Sequence, residues 1–211
     1  MSQETAIADA NANANAGFWK ELDSWKTPAA KEVGPTVEVG SKAPWAQQLR
    51  LPDGKPTLLV FLLAEKTFKS LADLSDKVPN VHCVAISHSS EEATDKWLPQ
   101  VGGTWNVDVV IDEERNLYAN WGLGISSTWH AVNPLTLWNV FSLGKNEGIW
   151  NRPTESGSRW QTSGAFAVDR DGTIRWAQVA RTADDLPDLK AAITALGFPP
   201  PEDKRHSKHE F

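Results

Sequence analysis

Thr57-Leu58-Leu59-Val60-Phe61-Leu62 is apolar at every position after the first. Side chains of an extended segment alternate between two faces. A run without polar alternation therefore needs cover on both, and it predicts a central strand buried between two layers. Such a strand requires partners, and the following sequence supplies them. Ala64 to Lys77 predicts a helix with Phe68, Leu71, Leu74 and Val78 on one face, broken by Pro79-Asn80. Val81 to Ser87 predicts a second buried strand. Ser89 and Glu92 have capping-box spacing and open a helix through Leu98, closed by Gly102-Gly103. Val107 to Asp112 predicts a third strand, followed by an acidic turn and a helix-like Leu117 to Trp121.

The later sequence changes character. Residues 122–160 are irregular, with one helix signalled by Asn133 as cap, Pro134 at its first position and Leu135 to Leu143 as its body. Ala165 to Asp169 and Thr173 to Val179 flank Arg170-Asp171-Gly172, a hairpin signal. A last helix is expected from about Leu186 to Leu196, with Leu186, Leu189, Ile193 and Leu196 sharing a face and Gly197 stopping it. Strand–helix alternation gives parallel strands and the hairpin adds antiparallel ones. The expected class is α/β: a thioredoxin-like fold, a mixed central sheet flanked by helices.

With 40% apolar residues in 211, the chain suits one domain, assigned to residues 17–198. It begins with a short amphipathic helix carrying Phe18, Trp19, Leu22 and Trp25, ended by Pro28, and a Pro- and Gly-rich stretch of loops over 27–56. Residues 1–16, ending in Asn-Ala repeats, and the polar residues 199–211 are expected to be disordered tails. The formal net charge is -6 with Lys and Arg scattered, which argues against a nucleic-acid partner. A single cysteine permits no internal disulfide and fits a reducing compartment. Met1-Ser2-Gln3-Glu4 opens neither a basic nor an apolar signal region, and no apolar run approaches the roughly 20 residues that span a bilayer. The expectation is a cytoplasmic protein with no membrane partner.

Three segments then resemble one family in order and spacing. Val39-Gly40-Ser41-Lys42-Ala43-Pro44 resembles the opening of peroxiredoxins. Pro52 to Leu62 resembles the approach to their active-site strand, and Gly164 to Trp176 is similar to their closing hairpin. Gln161, Gly164 and Asp184-Asp185 point to the peroxiredoxin-like AhpC/TSA branch found as thioredoxin-like proteins in fungi. The resemblance covers residues 37–197. It implies a cysteine in the loop just before an Ala-Glu-x-x-Phe stretch, where a helix N-terminus lowers the thiol pKa. The thiolate would attack a peroxide or disulfide and pass to a sulfenic acid or mixed disulfide.

That stretch survives as Ala64, Glu65 and Phe68, but Phe61-Leu62-Leu63-Ala64 contains no cysteine. With a strand read to Leu62 and a helix from Ala64, only Leu63 is left to reverse the chain, whereas such connections take roughly 2 to 6 residues. Two accounts fit: a segment missing from a catalytic parent, or a pseudoenzyme that frays one element to turn. No catalytic residue is identified. The site is expected between Leu62 and Ala64, with Glu65 and Thr67 as positional neighbours in the first helical turn.

Other candidates carry less. Cys83 lies mid-strand, on the face shared with Ala85 and Ser87, opposite His82, Val84, Ile86 and His88; a buried, inert thiol is expected and a His82–Cys83 metal pair is excluded. His206 and His209 sit in a Lys-rich tail and make no metal site. Asp169 to Gly172 lacks the sixth-position Gly and twelfth-position Glu of a calcium loop, Ala180 standing at the latter. Gly122-Leu123-Gly124 lacks the third glycine of a dinucleotide fingerprint. Trp121, Trp129, Trp138, Trp150 and Trp160 either cover irregular backbone, the simpler reading, or wall a cleft or partner surface, where Arg152 and Arg159 flank Glu155.

The resemblance implies a thiol antioxidant or oxidoreductase, inactive as given, with a peroxide or disulfide substrate and a thiol reductant. It implies no metal or organic cofactor. The alternative is a non-catalytic thioredoxin-fold binding or scaffold module using the Trp-rich face. The sequence carries no signal for oligomeric state.

Overall fold

A computed structural model describes residues 31–44, 54–62, 65–125, 160–181 and 185–201. The doubly apolar run forms β1 (Thr57–Phe61), buried at every position. It is followed by α1 (Glu65–Lys77), β2 (His82–Ser87), α2 (Glu91–Trp97) with a 3₁₀ turn (Leu98–Val101), and β3 (Val107–Ile111). Then come α3 (Asn116–Asn120), β4 (Gly164–Val168), β5 (Ile174–Val179) and α4 (Leu189–Ala195).

The five strands form one sheet in the order β3-β2-β1-β4-β5. β1 pairs in parallel with β2, and β2 with β3. β4 runs antiparallel to both β1 and β5. Two successive crossovers stepping the same way put α1 and α2 on one side of the sheet. There Leu58, Val60, Cys83, Ala85, Ala165 and Ala167 meet Phe68, Leu71 and Leu74 of α1 and Ala192 and Ile193 of α4. On the other side Leu59, Phe61, Val84, Ile86, Phe166 and Val168 meet Leu117 and Tyr118 of α3, Trp121 and Leu123. This is the α/β mixed sheet expected from the sequence.

Three local expectations need correction. The N-cap of α2 is Ser90, not Ser89: the Ser90 Oγ accepts from the Ala93 amide at 3.3 Å, while the Ser89 amide donates to Ser87 Oγ at 3.2 Å. Either serine can cap by sequence; the Ser87 hydroxyl at the end of β2 holds the backbone amide of the earlier one. The last helix begins at Leu189, capped by Asp188, whose Oδ1 accepts from the Ala191 amide at 3.0 Å. Leu186 precedes it and is 46% exposed, so it does not share the buried face of Leu189 and Ile193. The third concerns the β1–α1 connection and is described below.

The hairpin is built as its sequence indicates. Asp169 Oδ1 accepts from the amides of Asp171 and Thr173 at 3.1 and 3.0 Å, and Gly172 adopts φ 81° in the turn. Arg175 closes on Asp169 Oδ2. These bonds use the turn carboxylate for the hairpin itself. The expected helices near Phe18 and over 135–143, the tail over residues 1–16 and His206–His209 lie outside the described residues, as does the tail over 199–211 beyond Pro201.

Candidate functional site

The resemblance places the chemistry where β1 passes into α1. The ladder stops at Phe61 and α1 starts at Glu65, so residues 62–64 connect them rather than Leu63 alone. Each element gives up one residue, and the connection falls within the usual span. Leu63 and Ala64 lie outside the described residues, but the anchor of the connection is visible. The Leu62 amide still donates to the Ile86 carbonyl at 2.8 Å. The Leu62 carbonyl accepts from the Tyr118 hydroxyl at 2.9 Å, where continued pairing would have used the next β2 amide. A side chain from α3 thus terminates β1 without a Gly, Pro or Asp in the sequence.

Tyr118 is fully buried, with its ring edge-on to Phe61 at 4.8 Å between centroids. Its Oη also lies 2.9 Å from the Ile86 carbonyl and 3.4 Å from His88 Nδ1. A phenol has one proton, and Ile86 O already receives the Leu62 amide, so Leu62 O is the acceptor that depends on it. Burial, and secondarily the Asp112 carboxylate, push the phenol well above its ordinary pKa, so it stays a donor. Asp112 is buried as well, accepting from the Asn116 amide at 2.9 Å and the Tyr118 amide at 3.0 Å. It fixes the start of α3 and with it the Tyr118 ring. Sequence reasoning passed over both residues. The signal available was an Asp four residues before a helical Asn and a lone Tyr among apolar neighbours.

Of the two positional neighbours, Glu65 pairs with Lys69 at 2.6 Å, one turn along the helix. Thr67 is buried and lines a crevice with Phe61, Ser163, Gly164, Gln178 and Asp185. The crevice measures about 10 Å³, the size of one water. Gln178 and Asp185 belong to a loop network: Gln178 Nε2 donates to Asp185 Oδ1 at 3.3 Å, and its Oε1 accepts from the Asp188 amide at 3.0 Å. Glu65 thus pairs along α1, while Thr67 is buried against the crevice.

Cys83 is the only cysteine in the chain and is 0% exposed, in the middle of β2. It faces the α1 side with Ala85, as alternation requires, while Val84 and Ile86 face the other. Burial pushes its thiol up to about 12. A thiol kept neutral and out of solvent is a poor nucleophile and a poor metal ligand. His82 faces away from it and bonds Asp108 through Nε2 at 2.7 Å. Among the described residues no cluster of metal-ligating side chains occurs. Among the same residues no helix is long and apolar enough to cross a membrane.

Trp121 is buried in the aromatic cluster, its ring 4.8 Å from Phe166 and 5.8 Å from Phe61, so for this one the core reading is correct. Trp160 is half-buried. Trp129, Trp138, Trp150, Arg152, Glu155 and Arg159 lie outside the described residues.

No curated protein matches the chain. Among solved structures, a peroxiredoxin-like protein from Aquifex aeolicus superposes with a TM-score of 0.54 at 14% identity, over 80% of this chain and 91% of that one. A thiol peroxidase from Chromobacterium violaceum gives 0.51 at 13% identity, over 82% and 94%. Likeness at such identities is one of fold. The family comes from the sequence itself. Residues 67–182, more than half of the chain, match the AhpC/TSA antioxidant enzyme family, and the chain belongs to it.

Proposed function

We propose that this chain is a thiol-peroxidase scaffold of the thioredoxin-like branch found in fungi, and that, with Cys83 as its only thiol, it does not itself reduce peroxide. The burial of Cys83 carries the reading. With the thiol near 12, the thiolate fraction at neutral pH is on the order of 10⁻⁵, and the sulfur has no access to solvent. The family reaction, attack of a thiolate on a peroxide or disulfide followed by reduction with a thiol donor, belongs to a form that carries cysteine between Leu62 and Ala64. Glu65 and Thr67 would then flank the sulfur in the first turn of α1, and the Tyr118 bond to Leu62 would hold the strand end behind it. A cytoplasmic setting suits a thiol-dependent reaction and a chain with one unpaired cysteine.

The test is hydrogen peroxide consumption by the purified full-length protein with dithiothreitol or glutathione. The expected rate equals the protein-free control; thiol-dependent turnover above it refutes the reading. The intact mass of the protein from its own source then separates the two origins. A mass above 23.2 kDa by a segment containing cysteine identifies a catalytic parent. A match to 23.2 kDa favours a non-catalytic binding or scaffold module.

A further inference from the structure

At the opposite end of the sheet from the β1–α1 connection, two polar atoms are buried without a hydrogen-bond partner among the described residues: Thr57 Oγ1 and His82 Nδ1. They occupy neighbouring positions. Thr57 opens β1, His82 opens β2, and the two are paired across the parallel ladder. Alternation from Leu59 and Val84 sets both on the aromatic face of the sheet. Thr57 is 1% exposed, and the His82 side chain 11%.

The far side of the imidazole is fixed. His82 Nε2 lies 2.7 Å from Asp108 Oδ2 on β3, and a carboxylate only accepts, so Nε2 carries the proton. In the neutral ring Nδ1 is then an acceptor without a donor, beside a hydroxyl that is a donor without an acceptor. Both are buried, and leaving either unmet costs more than a surface group would. Neighbouring parallel strands are about 4.8 Å apart, a spacing across which one water can reach both side chains.

We infer that Thr57 and His82 hold one internal water, which donates to His82 Nδ1 and accepts from the Thr57 hydroxyl. The resulting chain, Thr57–water–His82–Asp108, crosses β1, β2 and β3 and fixes the imidazole as its Nε2–H tautomer. It also specifies register. A slip of β1 against β2 would set the hydroxyl or the imidazole against Leu59 or Val84, where no polar partner exists.

The experiment is ¹⁵N imidazole and water-exchange NMR on the full-length protein. The expected result is an unprotonated, hydrogen-bonded Nδ1, a protonated Nε2, and cross-peaks from a long-lived water to Thr57 and His82. Thr57→Val is expected to remove those cross-peaks and lower the folding equilibrium constant about tenfold, because it strands Nδ1. Thr57→Ser keeps both the water and the tautomer. A protonated Nδ1, no bound water in the wild type, or a Thr57→Val variant more stable than the wild type would each overturn the inference. Should Thr57→Val not fold, the wild-type and Thr57→Ser spectra decide.

Discussion

The Tyr118 hydroxyl donates to the Leu62 carbonyl at 2.9 Å, joining α3 to the first residue after β1. This bond anchors the chain at the start of the connection. It makes the stability of α3 and the geometry of the β1–α1 connection one problem, and it gives the first prediction. Tyr118→Phe keeps the ring against Phe61 but strands the buried Leu62 carbonyl. A loss of about 1–3 kcal/mol is expected, measured by urea unfolding. Amide exchange should rise first at Leu62 and the start of α1. Unchanged stability would show that the bond contributes nothing.

Asp112 supports the same junction from behind, holding two amides at the entry to α3. Asp112→Ala leaves both without that acceptor and should cost about 1–3 kcal/mol in the same measurement. Asp112→Asn keeps one acceptor oxygen and should cost less. The two losses, Asp112→Ala and Tyr118→Phe, should not add, because they act on one contact network.

Cys83 predicts a pH dependence of defined sign. Its pKa is about 12 in the fold, against an ordinary 9.0 for the unfolded chain. The native state therefore holds the proton that the unfolded state releases. The contribution is complete below pH 9.0 and is lost as pH rises toward about 12, with a limiting slope of about 1.4 kcal/mol per pH unit. Relative to the wild type, Cys83→Ala should flatten the stability curve across that window. The folded wild type should also resist a thiol reagent such as iodoacetamide at pH 8 and react once unfolded in guanidinium. Rapid labelling of the native protein would contradict the burial argument.

Gly102 ends the 3₁₀ turn at φ 105°, and a β-carbon there would come within 2.7 Å of the Trp105 ring. Gly102→Ala should cost about 1–2 kcal/mol for the left-handed backbone, plus whatever is needed to move the ring. Trp105 is itself at φ 51° and 44% exposed, so the ring can yield toward solvent. Unfolding at lower denaturant, with altered tryptophan fluorescence, is the expected outcome.

The sequence determined the layers of this protein. A strand apolar on both faces must be central, and Thr57 to Phe61 is. Helical periodicity fixed the buried face of α1 at Phe68, Leu71 and Leu74, and alternation fixed which way Cys83 points. These are local patterns tied to burial, and a neighbour of any kind satisfies them. Tertiary structure decided the points where two segments compete for one polar group. Ser90 caps α2, and Ser87 holds the Ser89 amide just ahead of it. Leu186 is exposed because Asp188 starts the helix after it. The strand ends at Phe61 because a hydroxyl 56 positions away takes the Leu62 carbonyl. A hydrogen bond between residues so far apart leaves no periodicity in the chain, which is why the sequence could not show it.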